Sequence, residues 1–186
     1  LSGQLLPEFN GAKDYDSCFW YSGLGDDPLH RCMMAGQSQF NPAVHSGFAE
    51  VLATSSPDNN YKALVKRFDE AKREVLVSIY HFTNDDIANA LMRAAKRGVE
   101  VKVYAEGGPV GGLSENSLRL FRNLQRAGVE VMVLRSDKAK GILKRFRYDH
   151  SKYSIIDREW LIAGSENYGY TGHPTDNNHG NRGWEI

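Results

Sequence analysis

The residues best suited to chemistry lie near the C-terminal end, in Tyr148-Asp149-His150-Ser151-Lys152-Tyr153-Ser154-Ile155-Ile156-Asp157. On an extended strand side chains alternate, so His150 and Lys152 face the same way, roughly 6.5 to 7 Å apart. One phosphate spans both. An imidazole attacks phosphorus while an ammonium offsets the charge on the phosphoryl oxygens, the division of labour that phosphoryl transfer requires. Asp157, seven positions from His150, faces the other way on an unbroken strand and is expected to brace the local structure rather than meet substrate. Trp160-Leu161-Ile162-Ala163 reads as a second strand, and Gly164 lets the chain turn sharply. Ser165 and Asn167 then bring a hydroxyl and an amide, both suited to phosphate oxygens.

The preceding segments have to position this set. Tyr61, Leu64, Val65, Phe68 and Ala71 recur at helical spacing after Ser56-Pro57-Asp58, predicting an amphipathic helix. Val75 to Tyr80 reads as a buried strand, Asp85 to Arg97 as a helix and Val99 to Ala105 as a strand, a β-α-β unit. A helix over about Ser117 to Ala127 and a strand over Val129 to Leu134 repeat it. The repeat is visible in the residues: Arg97-Gly98-Val99-Glu100-Val101 and Ala127-Gly128-Val129-Glu130-Val131 each place a glycine helix stop before a strand. The expected fold is α/β, a mixed and mainly parallel sheet with helices on both faces. Gly107-Gly108-Pro109-Val110-Gly111-Gly112 lacks the Gly-Lys-Ser/Thr ending of a P-loop and the spacing of a dinucleotide fingerprint, so it reads as a mobile loop. Residues 1–58, punctuated by glycines and prolines with no sustained period, form an irregular N-terminal extension with room for a short strand such as Phe48 to Thr54. Residues 59–186 form the chemical domain.

His-x-Lys-x-x-x-x-Asp followed by Gly-Ser-x-Asn, ungapped in both halves, resembles the signature of the phospholipase D superfamily. The β-α-β pattern from Val75 onward is similar too, so the likeness covers about residues 60–186. The resemblance implies a phosphodiesterase in which His150 is the nucleophile of a phosphohistidine intermediate, or alternatively the acid that protonates the leaving oxygen. It implies that Lys152 and Asn167 bind phosphate, Ser165 supports that pocket and Asp157 is structural. It also implies a carboxylate after Gly-Ser-x-Asn that orients the histidine. Glu185 is the first candidate, although it lies 18 positions beyond Asn167, more than in compact single-motif nucleases, and Asp176 is the second.

In-line displacement places attacking and leaving groups on opposite sides of phosphorus, so a nucleophile and a separate acid are needed. The chain has one copy of the motif. The second is expected from a homodimer partner or from a C-terminal half beyond Ile186. His30, His45, His81, His173 and His179 stand outside any second motif, and His173 with His179 lacks a third ligand at metal-site spacing. No metal and no cofactor are expected.

Substrate class is less sharply written. Lys138, Lys140, Lys144, Arg145 and Arg147, interleaved with Phe146 and Tyr148, suit a nucleic-acid backbone with stacking aromatics, and equally suit anionic phospholipid headgroups. The single motif tilts the reading toward a nuclease, with a phospholipase D or phosphatidyltransferase as the alternative. A non-catalytic phosphate-binding module would not need every signature residue intact. The 23 basic and 23 acidic residues cancel, which removes the global positive field of many nucleic-acid binders. No run of about 18 apolar residues is present, so the segment reads as soluble, with room for an export signal upstream of Leu1. Cys18 and Cys32 have no paired zinc spacing and are either a disulfide or two free thiols.

Overall fold

A computed structural model describes residues 49–134, 148–176 and 179–186. Cys18, Cys32, Phe48 and the basic cluster from Lys138 to Arg147 lie outside the described residues. Nearly all the described chain falls in one compact unit, Val51–Arg135 with Phe146–Ile186; the other unit, Leu1–Glu50 with Ser136–Arg145, lies almost wholly outside them.

The elements are β1 (Thr54–Ser55), α1 (Asn60–Glu70), β2 (Glu74–Ile79), α2 (Asp85–Lys96), β3 (Glu100–Glu106), α3 (Glu115–Arg126), β4 (Glu130–Leu134), β5 (Lys152–Ile156), β6 (Trp160–Ala163) and β7 (Trp184–Glu185). The five-stranded sheet has the order β4-β3-β2-β5-β6. β2, β3 and β4 run parallel, while β5 runs antiparallel to β2 and β6 antiparallel to β5. The sheet is mixed as expected, with its pairings divided evenly between the two senses. The parallel half follows from the two β-α-β repeats, because a crossover helix returns the chain to the same end of the sheet. Gly98 and Gly128, the shared helix stops, have φ of 89° and 91°, a conformation that costs an L side chain but not glycine.

α2 packs against both α1 and α3, so the three described helices share a layer. Its N-terminus is capped by Asn84, whose side chain accepts from the amides of Asp86 and Ile87. The core lies between that layer and the sheet. Leu64 and Phe68 from α1, Ile87, Leu91 and Ala94 from α2, and Leu120 and Leu124 from α3 meet Val75, Val77, Ile79, Val101, Val103 and Ala105. The alternation along β2 and β3 sends these odd-numbered residues to the helices.

The short strand anticipated near Phe48 to Thr54 is confined, among the described residues, to Thr54–Ser55, which pairs antiparallel with Trp184–Glu185. Ile186 continues the pairing onto Ala163 through bonds in both directions, 2.7 and 2.9 Å. The chain's last residues thereby lie along the strand that carries Gly164, beside the predicted chemical residues.

Candidate active site

β5 begins at Lys152, so His150 sits just before the strand. In the β2–β5 pairing Ile79 lies opposite Lys152, which puts both at the end of the sheet where Tyr80 and His81 leave β2. A parallel bridge between Phe82 and Tyr168 brings Asn167 to the same end. Gly164 donates its amide to the Lys152 carbonyl at 3.1 Å, which brings the Gly-Ser-x-Asn segment beside the lysine. His150, Lys152, Ser165 and Asn167 are therefore gathered at one end of the sheet. Asp157 is at the other end of β5.

The His150 ring is exposed and Lys152 is buried. Lys152 Nζ lies 3.2 Å from His150 Nδ1 and donates to the His150 carbonyl at 2.8 Å. An ammonium has donors and no acceptor, so Nδ1 is the accepting nitrogen and a neutral His150 carries its proton on Nε2. Burial lowers the Lys152 pKa from the usual lysine value, with Asp149 and Glu166 opposing that shift. A strand rise alone would separate the two side chains by a two-residue step, but the lysine curls back onto the histidine.

Four residues in or beside the gathered set carried no motif. The Tyr80 ring lies against His150 with centroids 4.3 Å apart, and its hydroxyl accepts the Val110 amide at 2.7 Å. Buried Glu106, at the end of β3, accepts the Asp149 amide at 2.8 Å through Oε2 and the Gly108 amide at 2.6 Å through Oε1. The glycine loop read as mobile is thus hydrogen-bonded at Gly108 and Val110 to residues that flank His150, because strand ends supply acceptors that local composition does not reveal. His81 is held below the usual histidine pKa by burial, then by Lys152 and His150. The fourth is His173. Of the four, only His81 and His173 stood out in the sequence, as histidines outside any motif.

Asp157 has φ of 56° and is followed by Arg158 at 61°, in the turn between β5 and β6. Its carboxylate accepts the amides of Lys72 at 2.9 Å, Arg73 at 2.7 Å and Glu74 at 2.9 Å, tying the α1–β2 connection to the hairpin. Burial pushes its pKa up, but the three backbone donors outweigh that and hold it below the ordinary aspartate value.

Ser165 Oγ accepts the Trp184 amide at 3.1 Å, and the Ser165 amide bonds the Trp184 carbonyl at 3.0 Å. The Asn167 carbonyl faces His173 Nδ1 at 3.0 Å, and its side-chain Oδ1 is buried without a partner among the described residues. Glu185 differs from the expectation drawn from resemblance. Its Oε1 lies 2.6 Å from His173 Nε2, so its described partner is His173 rather than His150. The 17 residues between it and Asn167 have room for a buried histidine. That histidine has both nitrogens engaged, which removes it from the His173/His179 metal alternative. Asp176, the second candidate, is exposed.

Residues 64–181 match the family model described as cardiolipin synthase, PLD-like domain. The chain belongs to the phospholipase D superfamily. Cardiolipin synthase B of Salmonella typhi is 31% identical over 112 residues, covering 59% of this chain and 25% of that protein. A phospholipase D of Rickettsia bellii is 31% identical over 112 residues, covering 60% of this chain and 49% of its own. The chain thus spans between a quarter and half the length of these relatives. Among solved structures, the phospholipase D family member Nuc of Salmonella typhimurium superposes with a TM-score of 0.59 at 24% identity, over 72% of this chain and 78% of that one. NucT from Helicobacter pylori gives 0.53 at 23% identity, over 72% and 84%. These two support the fold. Among the described residues no helix is long and apolar enough to cross a membrane.

Proposed function

We propose that this domain supplies one half of a metal-independent phosphodiesterase site in which His150 forms a phosphohistidine intermediate. The observation that carries the reading is the Lys152 ammonium 3.2 Å from His150 Nδ1, with the imidazole itself exposed. An incoming phosphate competes for that ammonium. Once Lys152 turns to the phosphoryl oxygens, Nδ1 is free to hold the imidazole proton and Nε2 presents a lone pair. The N–P bond forms as the P–O bond to the leaving group breaks, and a second histidine protonates the departing oxygen. Water or an alcohol then attacks phosphorus, yields its proton to that second histidine, and the P–N bond breaks to restore His150. Asn167 and Lys152 hold the phosphate, Ser165 supports the segment that carries Asn167, and Asp157 braces the far end of β5. The second histidine comes from a second motif copy, in a homodimer partner or in a further half of a longer chain.

Phospholipid headgroups are the substrate class we favour. The relatives above 30% identity carry the names cardiolipin synthase B and phospholipase D, which outweighs the nuclease tilt given by a single motif. Nucleic acid is the second reading, supported by the basic and aromatic run from Lys138 to Tyr148. The test assays the chain in excess chelator against phosphatidylglycerol vesicles, single-stranded DNA, duplex DNA and bis(p-nitrophenyl) phosphate, alongside His150→Ala. Lipid turnover that survives chelation and disappears in the variant is expected. Nucleic-acid cleavage with that same pattern selects the second reading. Activity that persists in His150→Ala overturns the assignment of the nucleophile.

A further inference from the structure

His173 is fully buried, and both of its ring nitrogens are engaged by groups from the candidate site. Nδ1 lies 3.0 Å from the Asn167 carbonyl oxygen and Nε2 lies 2.6 Å from Glu185 Oε1. A carbonyl oxygen only accepts, so Nδ1 carries a proton and donates it. The short contact on the other side then holds one proton between Nε2 and the carboxyl, either as imidazolium with carboxylate or as neutral imidazole with carboxylic acid. In both forms the pair is neutral as a whole, which makes its burial affordable.

The surroundings fix this imidazole from several sides. The Asn84 side chain donates to the His173 carbonyl at 3.0 Å, and the Asn60 side chain donates to the neighbouring Gly172 carbonyl at 2.7 Å; both asparagines are fully buried. The Tyr168 ring stands edge-on to the imidazole at 5.2 Å. Gly172 has no room for a side chain, since a Cβ there would lie 2.6 Å from the Asn167 carbonyl oxygen. Glu185 passes directly against Gly164, where a Cβ would lie 2.5 Å from Glu185 Cγ, and Gly164 is hydrogen-bonded to Lys152. One side chain therefore joins the backbone of Asn167 to the carboxyl of Glu185, which abuts Gly164, itself bonded to the Lys152 carbonyl.

We infer that His173 is a two-handed positioning residue: through Nδ1 it sets the phosphate-holding Asn167 segment, and through Nε2 it sets Glu185, which packs against Gly164 next to Lys152. The inference rests on the reading of His150 and Asn167 given above. Its two hands predict separable consequences. Asparagine places an amide donor where Nδ1 stands and does not reach Glu185; glutamine reaches Glu185 and does not serve Asn167. In His173→Asn the phosphate grip stays while the chemical step suffers, so kcat falls about tenfold or more with KM little changed. In His173→Gln the grip loosens, so KM rises by a similar factor with a smaller change in kcat.

The experiment measures kcat and KM for bis(p-nitrophenyl) phosphate in the wild-type chain and both variants. It also follows the His150 ring C2–H by proton NMR during titration with inorganic phosphate, and circular dichroism confirms folding. Phosphate binding weakened in His173→Gln and preserved in His173→Asn, together with the opposite ranking in kcat, is the expected result. Parallel losses in both variants, in step with a common fall in melting temperature, would reduce His173 to packing and overturn the inference alone. Wild-type kinetics in both variants would overturn it as well. A wild-type chain that neither shifts with phosphate nor turns over the ester would bring down the active-site reading and this inference together.

Discussion

At the scale of single residues, the proposed chemistry asks a lysine to be charged in a place that disfavours charge. Burial is the largest influence on Lys152 and lowers its pKa, and the carboxylates of Asp149 and Glu166 recover only part of the loss. In the proposed reaction the ammonium meets the phosphoryl oxygens, and it is lost as pH rises through the lowered value. The alkaline limb of kcat/KM therefore falls at a pH below the ordinary lysine range. Lys152→Arg keeps its charge there, so its profile loses that limb, at reduced kcat because the planar guanidinium does not fit a site shaped for an ammonium curled onto Nδ1. A pH–rate series on the two proteins checks this; an alkaline limb unmoved by the substitution would assign it to another group. Removing the charge in Lys152→Met should cost about 100-fold or more in kcat, the usual scale for losing a group that stabilises developing charge.

At the scale of elements, two joints hold the gathered end of the sheet in register. Asp157 takes three backbone amides from the α1–β2 connection, 83 to 85 residues away in sequence. Asp157→Ala leaves those donors without their acceptor and should cost roughly 3 kcal/mol, read from denaturant unfolding. Its folded pKa is depressed below the ordinary aspartate value, so the stability it contributes is present above that ordinary value and lost as pH falls through the folded pKa. The stability gap between wild type and variant should accordingly narrow below that pH. Gly164 is the second joint. A methyl group there meets the Trp184 carbonyl at 2.6 Å, a backbone atom held by pairing on both sides. Gly164→Ala should displace β7 with Glu185, destabilising by about 2 kcal/mol and lowering kcat more than His173→Asn does. Unfolding curves and kinetics on the alanine variant decide it.

These joints also mark where the sequence is legible and where it is not. The helices and strands follow from local periodicity, and the Arg97-Gly98-Val99 and Ala127-Gly128-Val129 repeat announced both helix stops. The candidate chemical residues were picked out by the spacing of their motif, although His150 lies just before β5 rather than on it. The partners did not. Glu106 meets Asp149 across 43 positions and Tyr80 meets Val110 across 30, contacts created by sheet order rather than by any local pattern. His173 was visible only as an unassigned histidine in an unusually long interval, and nothing local pointed to Glu185 as its partner.

At the scale of the whole molecule, one motif copy supplies one histidine to a reaction that needs a nucleophile and an acid on opposite sides of phosphorus. The missing group has two sources, a second copy of this chain or a further half of a longer one, and subunit mixing distinguishes them. If each working site combines His150 from two identical subunits, an equal mixture with His150→Ala subunits, fully exchanged, leaves about a quarter of the wild-type activity, because only the doubly intact pairs work. If each chain works by itself, about half remains. Sedimentation of the same samples reports whether subunits pair at all. A single-subunit species with turnover removes the homodimer outright and requires the acid from within residues 1–186. A single-subunit species without turnover, rescued by a longer chain carrying a second motif, identifies that second half as the source. The fraction of activity remaining after exchange is thus the measurement on which the assembly turns: near a quarter, the site spans two copies of this chain; near half, it does not.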